Sequence, residues 1–499
     1  MIFTVARQQG KGDAMYLGID IGTSAVKSLV ADEAQAVLAS ASSPLSISRP
    51  KELWSEQNPQ DWWRAVEDTV AALRQQLGQR WSAIRAIGLS GQMHGAVLLD
   101  GQGLPLRPAI IWNDGRSHAE ARHLQERLPG IGHLAGVPPM PGFAAPKLQW
   151  LHRHEPDVMA RAAHLLLPKD YVRFRLTGGF ATDMSDASGG LLLDTGKRRW
   201  ATSIIEACGI NRDLLPDLME GSSIAGHLSA GLAAAWGLEP GIPVAAGAGD
   251  AAAGAIGIGA IGEGDAFISL GTSALYFITR DSYRPAPEHL IHTFCHGLPG
   301  SWFQMAALLN GGSCLAWAAE LLGEPDIGKL LGQTEQRFAG PSPLLFLPYL
   351  TGERTPHNDP HAKGVLFGLT PATSREDMVQ AILEGVAFSL ADCQTYLAET
   401  GPLPATIGVI GGGSKSRFWM RLLASILGRS VALYEGGDSG PAFGAARLAR
   451  LAATGEAAAD VCHKPPVAEE IAPDPALHAA YQPRLKAFQS LYQALRPLF

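Results

Sequence analysis

The chain has 499 residues, 17% of them charged and 46% apolar, and a formal net charge of −7. A single core stops growing at roughly 250–300 residues, so two large domains are expected. The apolar content excludes a disordered chain, and the acidic balance without a basic run excludes nucleic acid as a partner.

Residues 1–14 contain Arg7 and Lys11 but no apolar core segment, so they do not read as a signal peptide. They read as a loose extension, and Met15 is a second candidate for the native start. Met15–Ile21 and Ala25–Ala31 are apolar runs around the turn Gly22-Thr23-Ser24, which predicts a hairpin. A further strand is expected over Ala36–Ser43. Asn58-Pro59 opens a helix through an N-cap followed by proline, and Gly78 stops it. Ile84–Ser90 is a strand that runs into Gly91-Gln92-Met93-His94-Gly95, and Ala96–Asp100 and Ala109–Trp112 are short strands. The second of these leads into Asn113-Asp114-Gly115-Arg116 and then a polar helix to about Leu128. Residues 156–240 read as helices separated by turns, with a polar loop from Gly178 to Gly190.

Ile242–Ala246 is a strand closed by Gly247-Ala248-Gly249-Asp250, and the alanine run from Ala251 forms a helix expected to cross into a second lobe. That lobe restarts near Asp265, and Ile268-Ser269-Leu270-Gly271-Thr272-Ser273 repeats the first hairpin's pattern. Ser374-Arg375-Glu376-Asp377 is a capping box opening a long helix. Ile407–Ile410, the turn Gly411-Gly412-Gly413, the helix Phe418–Leu427 and the strand Val431–Leu433 follow. Gly436 to Pro441 then leads into an alanine-rich helix. Alternating strands and helices define an α/β class. Five scattered cysteines without a CxxC read as reduced and buried, in a cytoplasmic protein, and no stretch of 18 apolar residues predicts a membrane span.

Backbone N–H groups in a glycine turn, helped by a small hydroxyl, are suited to holding phosphate. One Gly-Thr-Ser is as well explained by an ordinary hairpin. Two in matching contexts point to two related lobes gripping a nucleotide, through Gly22, Thr23 and Ser24 on one side and Gly271, Thr272 and Ser273 on the other. Only the first copy is preceded by a carboxylate, Asp20, the candidate anchor for Mg²⁺ through water. Asp250, in a glycine-rich bend at a helix start, is the candidate general base, with an N-cap aspartate as the plain alternative. Gln92, Met93, His94, Asn113 and Asp114 lie at strand ends where a polyol could be held. Gly411, Gly412, Gly413 and Ser414 would let a ribose or an adenine approach the backbone, although a simple turn explains them too. Gly257 to Gly262 matches GxGxxG, but a helix precedes it and a strand follows, the reverse of a dinucleotide site. His292, Cys295 and His296 lack a fourth ligand at zinc-like spacing.

Together, Asp20–Ser24, Leu53–Gln57, Gly91–Gly95, Ile111–Arg116, Pro141–Trp150, Leu167–Tyr171, Asp183–Ser188, Leu347–Asn358 and Gly364–Leu369 resemble the FGGY carbohydrate kinase family. The resemblance runs from Met15 to the C-terminus. It implies two actin-like (ribonuclease H-like) ATPase domains around an interdomain cleft, at residues 15–257 and 262–499. It also implies ATP and Mg²⁺ as cofactors, Asp250 as the base and a cleft that closes over sugar and nucleotide. Gly-Gln-Met-His-Gly with Trp-Asn-Asp-Gly-Arg resembles the branch that phosphorylates the ketopentose D-xylulose at its 5-hydroxyl. That branch usually carries Asp-Asn where this chain has Asp250-Ala251, which leaves D-ribulose, L-xylulose or a related polyol open as substrate. An actin-like ATPase switch is the non-enzymatic alternative. A homodimer is implied by the resemblance alone.

Overall fold

The computed structural model describes residues 14–435 and 440–499; the N-terminal extension and residues 436–439 of the glycine-rich turn lie outside the described residues. The first half is built on strands β1 (Met15–Ile21), β2 (Ala25–Asp32), β3 (Val37–Pro44), β4 (Ile84–Gly91), β5 (Ile224–His227), β6 (Pro243–Ala245) and β7 (Ala248–Gly249). Their order across the sheet is β3-β2-β1-β4-β6-β5, with β7 continuing beside β4. The second half uses β8 (Ala266–Leu270), β9 (Ala274–Arg280), β10 (His292–Cys295), β11 (Trp302–Leu308), β12 (Thr406–Ile410), β13 (Ser430–Tyr434) and β14 (Val467–Ile471). Its order is β10-β11-β9-β8-β12-β13-β14.

The halves repeat one design. From β3 to β5, neighbours pair antiparallel, antiparallel, parallel, parallel and antiparallel. From β11 to β14 the sequence of pairings is the same. β8 therefore stands where β1 stands, and the second Gly-Thr-Ser turn occupies the place of the first. Both turns lie beyond the carboxyl ends of parallel-paired strands, where open α/β sheets bind ligands.

Local signals explain the helices. α1 (Pro59–Leu77) starts at Asn58, whose side chain accepts from Gln60 N–H, and ends at Gly78. Ser374 and Asp377 form both bonds of a capping box at the head of α4 (Arg375–Glu399). Between them, α2 (Met184–Gly189) and α3 (Asp250–Gly257) flank the cleft. The last core helix, α5 (Gly440–Thr454), comes from the second half but lies on the first sheet. Gly18 and Gly88 make this possible, because a Cβ on either would collide with the backbone carbonyls of Ala442 and Ala445. α3 in turn shares a core with Phe267, Phe277 and Phe303 of the second sheet. The halves are thus joined by exchanged helices as well as by chain.

One expectation is corrected. Gly178–Gly190 is not a polar loop: it contains a strand, Ala181–Asp183, and α2, both buried. Its carboxylates are not solvated, because Asp183 caps α2 through Ser185 N–H and Asp186 N–H while Lys169 lies between Asp170, Asp183 and Asp186 at 2.5, 2.8 and 3.4 Å. Residues 156–240 likewise contain strands as well as helices, β5 among them.

Candidate active site

Sheet register brings the two candidate carboxylates together. Asp20 on β1 is level with Ser90 on β4, and Ser90 is level with Ala248 on β7. Asp250 follows two residues later at the start of α3. Burial raises the Asp20 pKa to about 6. Asp250 reaches water in the cleft, yet protein on its other sides and the charge of Asp20 raise its pKa to about 7. Among the described residues its carboxylate accepts one hydrogen bond, from its neighbour Ala251 N–H at 2.8 Å. Among the described residues the buried Oδ1 atom of Asp20 has no hydrogen-bond partner, and no cation is within salt-bridge distance of either carboxylate, although the charge of Lys27 acts on Asp20. Two coupled carboxylates of this kind form a site that favours a cation or a proton.

A cavity of about 310 Å³ has walls from both halves; neither aspartate lines it, but its wall residue His94 follows Met93, which packs against Gly249 next to Asp250. His94, Asn113, Asp114 and Phe143 line it from the first, and His292, Glu353, Arg354 and Asn358 from the second. His94 is fixed by its Nδ1 at 2.6 Å from Gly189 O, and burial lowers its pKa to about 3, so the ring stays neutral. If Nδ1 donates to that carbonyl, Nε2 is an acceptor. Asp114 is held from behind by Arg116 at 2.7 Å and accepts from Ser55 N–H at 2.6 Å. Met93 is not on the wall; it packs under His94 against Gly189 and Gly249. Gln92 is buried too, donating to Gln57 Oε1 at 2.7 Å, and so supports the first hairpin rather than facing the cavity.

A larger cavity, about 1060 Å³, lies in the second half. Gly271, Thr272, Gly412 and Gly413 form its polar end, and Ile327 and Leu331 contribute an apolar wall. Ser273 and Ser414 do not line it; the Ser414 hydroxyl instead donates to Gly411 O at 2.7 Å. In the first hairpin, Gly22 and Thr23 are half-buried and Ser24 is exposed, and Thr23 Oγ1 accepts from Trp112 Nε1 at 2.8 Å. A glycine-walled slot with an apolar flank suits a flat ring and a ribose laid against the backbone.

Residue-type reasoning did not single out Glu353, Arg354 or His292. Adjacent opposite charges within the apolar stretch Leu344–Leu350 and its continuation were the available signal. His292 had been weighed only as a metal ligand, and among the described residues no group of three or more His, Cys, Asp or Glu side chains is arranged to hold a metal.

Residues 15–257 match the N-terminal domain of the FGGY family of carbohydrate kinases and residues 266–453 its C-terminal domain. The chain belongs to this family, and its fold is that of an ATP-dependent sugar kinase with two α/β domains around a cleft. It is 46% identical to the xylulose kinase of Escherichia coli (strain K12) over 97% of this chain and all of that protein. The crystal structure of a "xyloylose kinase" from Brucella ovis matches with a TM-score of 0.94 and 44% identity, covering 97% of this chain and 100% of that one. A gluconate kinase from Lactobacillus acidophilus matches with a TM-score of 0.90 at 26% identity, over 97% of this chain and 98% of that one. Among the described residues no helix is long and apolar enough to cross a membrane.

Proposed function

We propose that this kinase phosphorylates D-xylulose at its terminal 5-hydroxyl, with Asp250 as general base. The observation that carries the reading is the coupling of Asp250 to Asp20, with Gly249 beside Asp250 packed against Met93 next to His94, a wall residue of the cavity built from both domains. The sugar would lie against His94, Asn113 and Asp114, with its 5-hydroxyl toward Asp250. ATP would occupy the glycine-walled slot between Gly271-Thr272 and Gly412-Gly413, its phosphates reaching the first hairpin. As the sugar oxygen bonds to the γ-phosphorus, Asp250 takes the hydroxyl proton, the bond to the bridging oxygen breaks, and ADP leaves. A base with a pKa near 7 suits this task, because about half of it is free at neutral pH and it is basic enough to accept the proton.

The residues fit Mg²⁺. Asp20 offers a buried, unpartnered oxygen, and the absence of a protein cage among the described residues agrees with an ion held by one or two carboxylates, water and phosphate. Mg²⁺ would offset charge on the β- and γ-phosphates. The two kinases of that name support D-xylulose as the sugar. Ala251, which cannot hydrogen-bond through its side chain, keeps other ketopentoses as the second reading.

The test is ADP release across D-xylulose, D-ribulose, L-xylulose and the matching pentitols, with and without Mg²⁺. The expected result is turnover that needs both metal and sugar and is fastest with D-xylulose. Sugar-independent ATP hydrolysis at the same rate would instead support an ATPase switch.

A further inference from the structure

Resting on the reading of the 310 Å³ cavity as the sugar site, we infer that the second domain reads the sugar's carbonyl end, through Arg354 with His292 beside it. Arg354 lies on the cavity wall, half-buried. Among the described residues no carboxylate is within salt-bridge distance of its guanidinium and none of its side-chain nitrogens donates a hydrogen bond. Its neighbour Glu353 does not satisfy it: Glu353 Oε1 accepts from Leu309 N–H at 2.7 Å and from the backbone N–H of Arg354 at 2.8 Å. The arginine is thus a set of donors facing a cavity without a protein acceptor.

His292 gives the second, independent observation. It is 1% exposed on β10 and lines the same cavity, and among the described residues neither ring nitrogen has a partner. Burial, followed by the charge of Arg354, holds its pKa well below the ordinary value, so it is neutral and offers one donor and one acceptor. Its ring lies 5.9 Å from Phe143, which lies 4.5 Å from His94. Two neutral imidazoles therefore flank one aromatic ring, with the charge of Arg354 close enough to act on both.

This set sorts oxygens by chemistry. A guanidinium can only donate, and it is best answered by an oxygen that can only accept. A ketone carbonyl is such an oxygen; the hydroxyl of a pentitol is a weaker acceptor that also presents a proton. The neutral histidines suit hydroxyls, which both donate and accept. With the 5-hydroxyl at Asp250, the 2-carbonyl of an open-chain ketopentose would be directed toward Arg354.

The loop that carries Arg354 is held for this purpose from outside the cavity. Glu353 and Asp359 exchange backbone hydrogen bonds at 2.9 and 2.8 Å, and Asp359 accepts from the Tyr492 hydroxyl at 3.0 Å. His357 stacks on Tyr492 at 3.7 Å and meets the Tyr349 hydroxyl at 3.0 Å. The C-terminal helix Pro475–Leu495 thus anchors the reading loop. Because Arg354 and His94 belong to different domains, a ketose that satisfies both is bound best when the domains close on it.

Equilibrium binding of D-xylulose and of its pentitols, xylitol and D-arabinitol, to the ADP-loaded enzyme tests the inference. For Arg354→Gln, D-xylulose affinity should fall on the order of 10- to 100-fold, the size of a lost charge-assisted hydrogen bond. Pentitol affinity should change by no more than about twofold. Arg354→Lys should recover part of the ketose preference, and ADP affinity and Tm should match wild type in both variants. Equal losses for ketose and pentitol, or no loss for either, would overturn the inference while leaving the kinase reading intact. Should the wild type bind neither sugar nor pentitol, the reading of the cavity itself falls and this inference with it.

Discussion

Two groups of carboxylates lie within electrostatic reach of one another in the first domain, and they are built in opposite ways. Asp170, Asp183 and Asp186 surround Lys169, with Arg173 at 3.1 Å from Asp170, all fully buried. Burial works against the Lys169 charge, but the three carboxylates outweigh it and hold its pKa above the ordinary ammonium value. Asp20 and Asp250 have no such cation within salt-bridge distance among the described residues, and their pKa values rise. The first group spends its charge internally and fixes structure. The second keeps its charge unsatisfied until something arrives in the cleft, which is what a catalytic site requires.

The largest effect expected from this contrast is at Asp250. Asp250→Asn keeps the shape but cannot take a proton, so turnover should fall by roughly 10²–10⁴-fold. Nucleotide binding, followed by fluorescence titration, should be little changed. Retention of more than a tenth of wild-type turnover would mean that another group accepts the proton.

The paired group should respond in stability. Lys169→Met leaves three buried carboxylates without their central cation, and breaking a buried pair in this way costs about 3–5 kcal/mol. Urea unfolding would measure it. The loss should extend to the site, because Ser185, whose hydroxyl binds Asp183 at 2.5 Å, accepts from Gly249 N–H at 3.0 Å, next to Asp250. A Lys169→Met protein of unchanged stability would remove the distinction drawn between the two groups.

What the sequence made legible follows the same division. The hairpin at Gly22, the Asn58 cap and the Ser374 capping box depend on residues within a few positions of each other, and each formed as expected. The pairing of Asp20 with Asp250 could be suspected because each carries its own glycine-rich signal. The Lys169 group could not, because the aspartates looked like solvent-seeking loop residues until chain folding placed a lysine among them. Arg354 and His292 were hidden for a related reason: what matters about them is the partner they lack, and that is a property of the packed structure. The helix Gly440–Thr454 on the first sheet depends on Gly18 and Gly88, whose missing side chains carry no local signal of a distant neighbour.

A smaller effect should appear in the pH dependence. As the proposed base, Asp250 would have to be deprotonated to act, so wild-type kcat/KM should decline as pH falls through about 7 and level off above it. The charge of Asp20 contributes to that raised value. In Asp20→Asn the residual activity, reduced if Asp20 is the metal anchor proposed, should therefore rise at a lower pH than in wild type. A limb that stays at the same pH would show that Asp20 does not act on Asp250 through its charge.

The smallest effect should be at Asp186 in the paired group, whose pKa lies well above the ordinary carboxylate value. Burial is the main cause; Lys169 opposes it, while Asp170, Asp183 and Asp250 add to it. A carboxyl whose folded pKa is raised has that stability in full only below its unfolded pKa, about 4, and loses it as pH rises toward the folded pKa. Asp186→Asn resembles the protonated acid in size and polarity but cannot ionise, so it should lie closest to wild type at low pH, with Tm altered by no more than about 2–4 °C. As pH rises above about 4 the wild type loses this stability and the variant does not, so the variant should gain on it. Thermal unfolding of both proteins across that rise in pH would show the gap narrow or reverse. A variant that loses ground to wild type as pH rises would mean that Lys169 stabilises the Asp186 carboxylate by more than burial and its acidic neighbours oppose it.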